Sequence, residues 1–108
     1  MNRKPDFIAL LKYRTFEENG RETPAYSGYR PQVKFSFSAF QTSGQQKFID
    51  KEVVYPGDIV EAEITIISVE YFKHSLECGT AFEFLEGQHI IGTGKIIKIL
   101  NKELQKTL

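Results

Sequence analysis

The sequence contains few of the features that mark a secreted, membrane-inserted or electrostatically held protein. It has one cysteine in 108 residues, Cys78, which excludes an intramolecular disulfide and leaves nothing to imply an oxidising compartment. The formal net charge is zero, which argues against attachment to nucleic acid or to a membrane by bulk electrostatics. No apolar run is long enough to span a bilayer, and no signal-peptide core follows the charged N-terminus. We therefore expect a cytoplasmic protein with no membrane partner.

Motifs that carry catalysis or hold cofactors are also missing. The chain has no Gly-x-x-x-x-Gly-Lys-Ser/Thr loop for cradling phosphates and no Gly-x-Ser-x-Gly nucleophile turn. His74, His89 and Cys78 lack the spacing of a zinc site. Glu61 and Glu63 share one strand face, where acidic side chains are usually solvated and rarely catalytic. The expectation is a non-enzymatic protein that binds no metal, cofactor or nucleotide by itself.

Alternation of apolar and polar residues predicts a chain made almost entirely of short strands. The segment 41–46 has the composition of a turn or loop, and Pro56-Gly57 suits a type II turn. Six short strands joined by glycine and proline turns predict an all-β fold, a six-stranded antiparallel closed barrel over residues 1–100 with a short tail over 101–108. The predicted strands cover residues 7–13, 33–39, 48–54, 58–68, 82–84 and 89–100.

Several finer expectations concern burial. The apolar run at 7–13 predicts a strand buried on much of both faces, and Ile67 predicts a strand end buried on both sides. Gly92 and Gly94 are two residues apart inside a strand, which indicates a bulge or a close approach of backbones. A barrel this small should be filled by its own side chains. The residues expected inside it are Val33, Phe35, Phe37, Ile64, Ile66, Phe82 and Phe84.

The segment from Gly20 to Gln32 is the most distinctive in the chain. It holds two prolines, two glycines and two tyrosines between runs of alternating apolar residues. Each proline fixes its own φ and favours extended geometry in the residue before it. The segment is therefore expected to be a stiff, shaped connection.

Five groups of residues, in this order along the chain, resemble the third, C-terminal domain of bacterial elongation factor Tu. They are Gly20-Arg21-Glu22-Thr23-Pro24, Gly28-Tyr29-Arg30-Pro31-Gln32, Pro56-Gly57-Asp58, Phe82 to Glu86-Gly87, and Gly92-x-Gly94. The resemblance covers about residues 7–100. It implies a six-stranded antiparallel barrel without a catalytic role. It also implies contacts with a GTPase domain, with the T-stem of aminoacyl-tRNA and with a nucleotide-exchange factor.

The GTPase domain and the second barrel of that factor are missing from this sequence. We expect a natural stand-alone relative, and a fragment prepared for study is the alternative. The resemblance also implies which residues meet the tRNA backbone: Gln32, a hydroxyl of Thr42 or Ser43, and Glu86-Gly87, with Arg30 in the same motif.

The sequence departs from the family at three positions near that contact. The family usually carries arginines where this chain has Ala81, Leu85 and His89. Because cations that neutralise phosphates supply most of the affinity for nucleic acid, the loss of three should weaken RNA binding.

Three hypotheses for function follow. The first is a non-catalytic binding module that acts through protein contacts, with a translation-related or GTPase partner. Its surface would run from Tyr26 to Gln32 together with the 86–89 turn, where Tyr26, Tyr29, Arg30 and His89 are the candidate contacts. The second is binding of the tRNA or RNA backbone. The third is an enzyme or small-ligand carrier that uses the barrel mouth, which would need converging polar groups.

Overall fold

Six strands close into an antiparallel barrel in the computed structural model, which describes residues 3–107. Around the barrel the order is β1-β6-β4-β3-β7-β8, and β1 pairs with β8 to close it. The predicted six-stranded antiparallel barrel is confirmed. The barrel strands are β1 (Phe7–Tyr13), β3 (Gln32–Phe35), β4 (Gln41–Phe48), β6 (Ile59–Ile66), β7 (Ala81–Glu86) and β8 (His89–Ile99).

Two further strands and two helical turns complete the described chain. Strands β2 (Ala25–Tyr26) and β5 (Val53–Val54) pair as a two-stranded ribbon outside the barrel. Single 3-10 turns occupy Val69–Tyr71 and Lys102–Leu104. No helix within residues 3–107 is long and apolar enough to cross a membrane.

The barrel interior is filled by phenylalanine and aliphatic side chains. Phe7 packs against both Phe35 and Phe82, with ring centroids 6.1 and 5.9 Å apart. At the other end of the interior, Tyr13 packs edge-on against Phe84 at 4.9 Å. Rings at these separations are close enough to interact edge to face, so the barrel holds an aromatic cluster at each end of its interior.

The two glycines of β8 make room for these clusters. A Cβ placed on Gly92 would come within less than 3.0 Å of the Phe84 ring, and one on Gly94 would do the same to the Phe82 ring. Real side chains essentially never show such contacts. The spacing of the glycines therefore matches a close approach, here of phenylalanine rings to bare backbone.

The segment predicted as a loop at 41–46 is instead part of the eight-residue strand β4. Its inward positions carry Thr42, Gly44, Gln46 and Phe48, a set too polar to predict a strand. These residues fit because their partners are large. A Cβ on Gly44 would lie 2.6 Å from Cγ2 of Val33, so the glycine leaves space for the valine across the strand pair.

Three other predictions near strand ends were wrong. Strand β3 ends at Phe35 because a turn follows, with the Ser38 amide donating to the Phe35 carbonyl at 3.1 Å. Phe37 is consequently more than half exposed and does not line the interior. Ile67 is exposed to a similar degree, since β6 ends one residue earlier. The segment predicted as a strand at 48–54 holds only the end of β4 and the two residues of β5.

Strand β1 has the predicted bounds but buries only one face. Phe7, Ala9, Leu11 and Tyr13 point inward, whereas Leu10 is substantially exposed. Closure of the barrel explains this pattern, because each strand presents one face to the interior and the other to the outside. The turn predicted at Pro56-Gly57 is present, with the Asp58 amide donating to the Tyr55 carbonyl at 3.0 Å.

The C-terminal tail is packed against the barrel. Leu104 is fully buried, and the amides of His74 and Leu76 donate to the carbonyls of Glu103 and Leu104 at 2.8 and 2.9 Å. The barrel thus has two distinct ends. We call the end with the ribbon and the β7–β8 turn the ribbon end, and the end with the 102–104 turn and the 36–40 connection the tail end.

Candidate functional site

Arg21 fastens the 20–32 segment to the turn between β7 and β8 at the ribbon end. Its guanidinium donates hydrogen bonds to the carboxylate of Glu86 and, at 3.1 Å, to the hydroxyl of Tyr29. The same group donates to the carbonyls of Thr23 and Pro24, each at 3.2 Å. Its Cζ atom lies 4.7 Å from the centroid of the Tyr29 ring, within cation–π range. The Arg21 side chain therefore connects the first part of the 20–32 segment to Tyr29 and to the β7–β8 turn. We call Arg21, Tyr29 and Glu86 the clamp.

Tyr29 is the inner member of the clamp. Its hydroxyl donates to the Glu86 carboxylate. Partial burial, together with that carboxylate, raises the pKa of the Tyr29 phenol above its ordinary value. The phenol therefore remains a neutral donor, and Tyr29 acts in holding the segment. Its side chain is partly buried.

A buried polar pair lies beneath the clamp. The Tyr13 hydroxyl donates to Oε1 of Gln46 at 2.5 Å, and burial raises the pKa of the Tyr13 phenol. The Gln46 backbone also binds the segment, since its amide donates to the Tyr29 carbonyl and its carbonyl accepts from the Gly28 amide. Among the described residues, Nε2 of Gln46 has no hydrogen-bond partner. The strand β4 therefore supports the 20–32 segment from below.

The ribbon and the residue after it expose two tyrosines. Ala25 and Val54 are buried beneath the ribbon, so the alternation of strand residues directs Tyr26 and its partner Val53 to the opposite, outer side. Tyr55 directly follows β5. Tyr26 is 63% exposed and Tyr55 is 57% exposed. The result is an aromatic surface on a backbone that the clamp, the ribbon pairing and β4 all restrain.

The turn between β7 and β8 forms the other side of this end. Gly87 has a φ of 61°, the left-handed region that two-residue hairpin turns require, and Glu86 pairs with His89 across the turn. His89 is exposed. Its neighbour across the turn, Glu86, already accepts hydrogen bonds from Arg21 and Tyr29, so intramolecular contacts hold its carboxylate.

The residues that the family resemblance assigns to tRNA contact lie in different surroundings. Gln32 and Ser43 are directly opposite each other on β3 and β4, both partly exposed. Thr42 is buried, and its hydroxyl accepts a hydrogen bond from the Ser68 amide at 3.2 Å, so its side chain is outside the accessible surface. Arg30 is exposed at the edge of the same wall.

Arg30 borders a polar groove on the outside of β4 and β6. The groove has a volume of about 520 Å³ and carries three cations, Arg3, Arg30 and Lys47. Two acids, Glu52 and Glu63, line it as well. A smaller recess of about 90 Å³ adjoins it, where Arg3 and Arg30 meet Ser43. The structure therefore brings Arg30 and Ser43 together but leaves Glu86 and Gly87 at the ribbon end.

Two parts of this site had no separate place among the sequence-predicted contacts. Arg21 appeared only as part of Gly20-Arg21-Glu22-Thr23-Pro24, the first motif of the family resemblance. Nothing in the linear sequence connects it to Glu86, 65 residues away. Tyr55 belonged to a predicted turn, and only the structure shows that it follows the strand paired with Tyr26 and is exposed. Within residues 3–107 no group of three or more His, Cys, Asp or Glu side chains is placed to hold a metal ion.

No family model matches this chain. The likeness to the third domain of elongation factor Tu thus depends on the motifs in the sequence, and it enters below as part of a proposal.

Proposed function

We propose that this domain is a non-catalytic binding module that acts through protein contacts at the ribbon end. The observation that supports this proposal most strongly is the restraint of the 20–32 segment by the clamp while Tyr26 and Tyr55 remain exposed. A surface that is already ordered loses little conformational entropy when a partner binds. The ribbon end therefore combines exposed aromatic side chains with a fixed backbone.

The chemistry of tyrosine suits such a surface. Tyrosine is enriched among the residues that dominate binding energy at protein interfaces, because it buries a large ring and keeps a hydroxyl for hydrogen bonding. Tyr26 and Tyr55 provide two such exposed groups at the ribbon end. Arg30 and His89 add polar contacts at the edges of this surface.

The resemblance to elongation factor Tu supports a partner connected with translation. In that family the third domain packs on a GTPase domain and contacts a nucleotide-exchange factor. We therefore propose that the partner of this chain is a translation-related protein or a GTPase supplied by another chain. The domain itself contributes a rigid recognition surface and no chemistry.

The test is a pull-down with the purified domain, followed by binding measurements with the purified protein that is recovered. Tyr26→Ala should weaken that binding at least about ten-fold, as expected for loss of an interface anchor. Tyr71→Ala is the matched control, because Tyr71 is 67% exposed and lies at the tail end. Equal affinities for the two variants would contradict the proposed surface. Tyr29→Ala is a poor choice, since it would also loosen the clamp.

One observation favours RNA as a second candidate partner. The polar groove holds Arg30 and Lys47, and Arg30 also borders Ser43 in the adjoining recess. Arg3 lines both but is already paired with Asp6, so Arg30 and Lys47 are the cations available to neutralise phosphates. RNA recovered in the same pull-down should then be lost as salt rises. With two phosphate contacts, affinity should fall about 7- to 12-fold between roughly 50 and 200 mM salt. Recovery of RNA that does not change with salt, or of none, would exclude this second function.

A further inference from the structure

A second concave surface lies on the outer wall of the barrel, away from the clamp. It crosses β1, β8, β7 and β3 and reaches Ser36, the residue just after β3. Its volume is about 700 Å³, and its walls are mainly apolar. Leu10 and Ile59 supply exposed aliphatic side chains. Ala81, which is exposed and small, and the backbone of Gly94 also line it. Small-molecule sites typically have a volume of this size and an apolar lining. We call this surface the wall groove.

The charges around the wall groove are unbalanced. Three lysines, Lys12, Lys34 and Lys95, line it together with one glutamate, Glu83. None of these lysines takes part in the four ion pairs formed among residues 3–107. The groove therefore carries a local excess of two positive charges in a chain whose formal net charge is zero.

The strand register places the cations beside apolar groups. Lys95 lies between Leu10 and Ala81, its partners on β1 and β7. Lys12 lies between Ile59 on β6 and Thr93 on β8. Lysine stems can cover apolar surface while their ammonium groups remain in solvent. Each of these two ammonium groups thus stands at the rim of an apolar floor.

We propose that the wall groove binds a small anionic amphiphile, a molecule with a carboxylate or phosphate head on an apolar body. The apolar body would lie on Leu10, Ile59 and the backbone of Gly94. The anionic head would bind Lys12 and Lys95, with Lys34 at the far rim. Burial of apolar surface and neutralisation of unpaired lysines would both favour the complex. This site shares no residue with the ribbon end, so it stands or falls independently of the proposed function.

The test uses dodecanoate as the probe, titrated by calorimetry below its micelle concentration. Dodecyltrimethylammonium serves as the cationic control of equal chain length. Saturable binding of dodecanoate and none of the cationic probe is the expected result. Amide shifts in a parallel NMR titration should centre on Leu10, Lys12, Thr93, Gly94 and Lys95.

A pair of double variants separates the wall groove from non-specific charge. Lys12→Ala with Lys95→Ala should weaken dodecanoate binding about ten-fold, the effect of losing two exposed charge contacts. Lys51→Ala with Lys102→Ala removes the same charge from exposed positions outside the groove and should change the affinity less than about two-fold.

Three outcomes would overturn the proposal: no saturable binding, equal binding of the two probes, or equal weakening in both double variants. Binding of a designed acidic amphipathic peptide to the groove, with none of dodecanoate, would also overturn it and identify a protein-docking surface instead.

Discussion

Replacing Arg21 with alanine would remove the central group of the clamp and should loosen one segment of the protein selectively. The guanidinium donates to Glu86 and Tyr29, to two backbone carbonyls and, at 3.1 Å, to the Thr23 hydroxyl. All of these contacts end within the 20–32 segment or at the β7–β8 turn. We therefore expect local loosening of the segment in addition to a loss of global stability.

The magnitude follows from the exposure of the partners. The Arg21 side chain is 18% exposed but that of Glu86 is 42% exposed, so solvent screens the ion pair and it contributes no more than about 1 kcal/mol. The cation–π contact with Tyr29 adds about 0.5 to 1 kcal/mol. The hydrogen bonds to neutral acceptors together add about 1 kcal/mol, because water replaces them in the variant. The expected loss in the free energy of unfolding is about 2 to 3 kcal/mol.

Urea unfolding and amide hydrogen exchange measure the two effects. For a domain of this size, the expected loss corresponds to a fall in Tm of roughly 10 °C or more. Exchange should accelerate most at three amides of the segment. The Ser27 amide donates to the Glu52 carbonyl just before β5, the Gly28 amide to the Gln46 carbonyl on β4, and the Tyr29 amide to the Tyr26 carbonyl within the segment. Arg21→Lys should give an intermediate result, since lysine keeps the charge but lacks the planar fork.

Lys73→Ala is the control for removal of a surface ion pair. Lys73 lies 3.7 Å from Glu103 and both side chains are more than half exposed, so this variant should cost less than about 0.5 kcal/mol. The clamp would be refuted as a restraint if Arg21→Ala behaved like Lys73→Ala in both measurements.

Three further predictions concern the barrel itself. Gly94→Ala should destabilise the fold by about 2 kcal/mol or more, because the added Cβ would meet the buried Phe82 ring. Adding Phe82→Leu should recover part of that loss. If the effects of the two substitutions were simply additive, the contact would be refuted. Asp6→Ala should lower the free energy of unfolding, measured in urea, by about 3 kcal/mol. The fully buried Asp6 carboxylate accepts hydrogen bonds from the Ile66 amide at 2.8 Å and from the Asn101 side chain, at the start of the C-terminal tail, at 2.9 Å. A loss below about 1 kcal/mol would contradict this role. Burial raises the pKa of Tyr13 and Tyr29 above the ordinary 10.0, so the stability that these two phenols contribute is complete below that pH and is lost as the pH rises above it. Absorbance at 295 nm should show two of the five tyrosines ionising only as the protein unfolds. Ionisation of all five tyrosines in the folded state would refute this prediction.

The sequence allowed the fold class to be predicted because alternation with a period of two is a local property. Strand β6 carries that alternation clearly, whereas β1 was predicted from a short apolar run. The predicted bounds of β1, β6 and β8 differ from the observed ones by no more than two residues. The two-residue turn at Gly87 and the turn at Pro56-Gly57 were also visible, since glycine and proline restrict the backbone without help from distant residues.

Strand β4 could not be predicted in the same way. Its inward face carries Gly44 and Gln46, which are poor strand residues in isolation. They are suitable only because Val33 fills the space at the glycine and Tyr13 donates to the glutamine. Val33 comes from β3, the strand paired with β4, and Tyr13 comes from β1 across the closed barrel, so the amino-acid pattern of β4 alone does not contain the information.

The candidate site divides along the same line. By itself the sequence determined that the chain is all-β and that its glycine pair allows close packing, because these depend on backbone preferences and local pattern. Tertiary structure alone decided that Arg21 meets Glu86, that Tyr26 and Tyr55 are exposed while Tyr29 is held in the clamp, and that three unpaired lysines surround one apolar groove. Those arrangements depend on which strands are neighbours in the closed barrel, and barrel closure brings together residues that lie tens of positions apart in the chain.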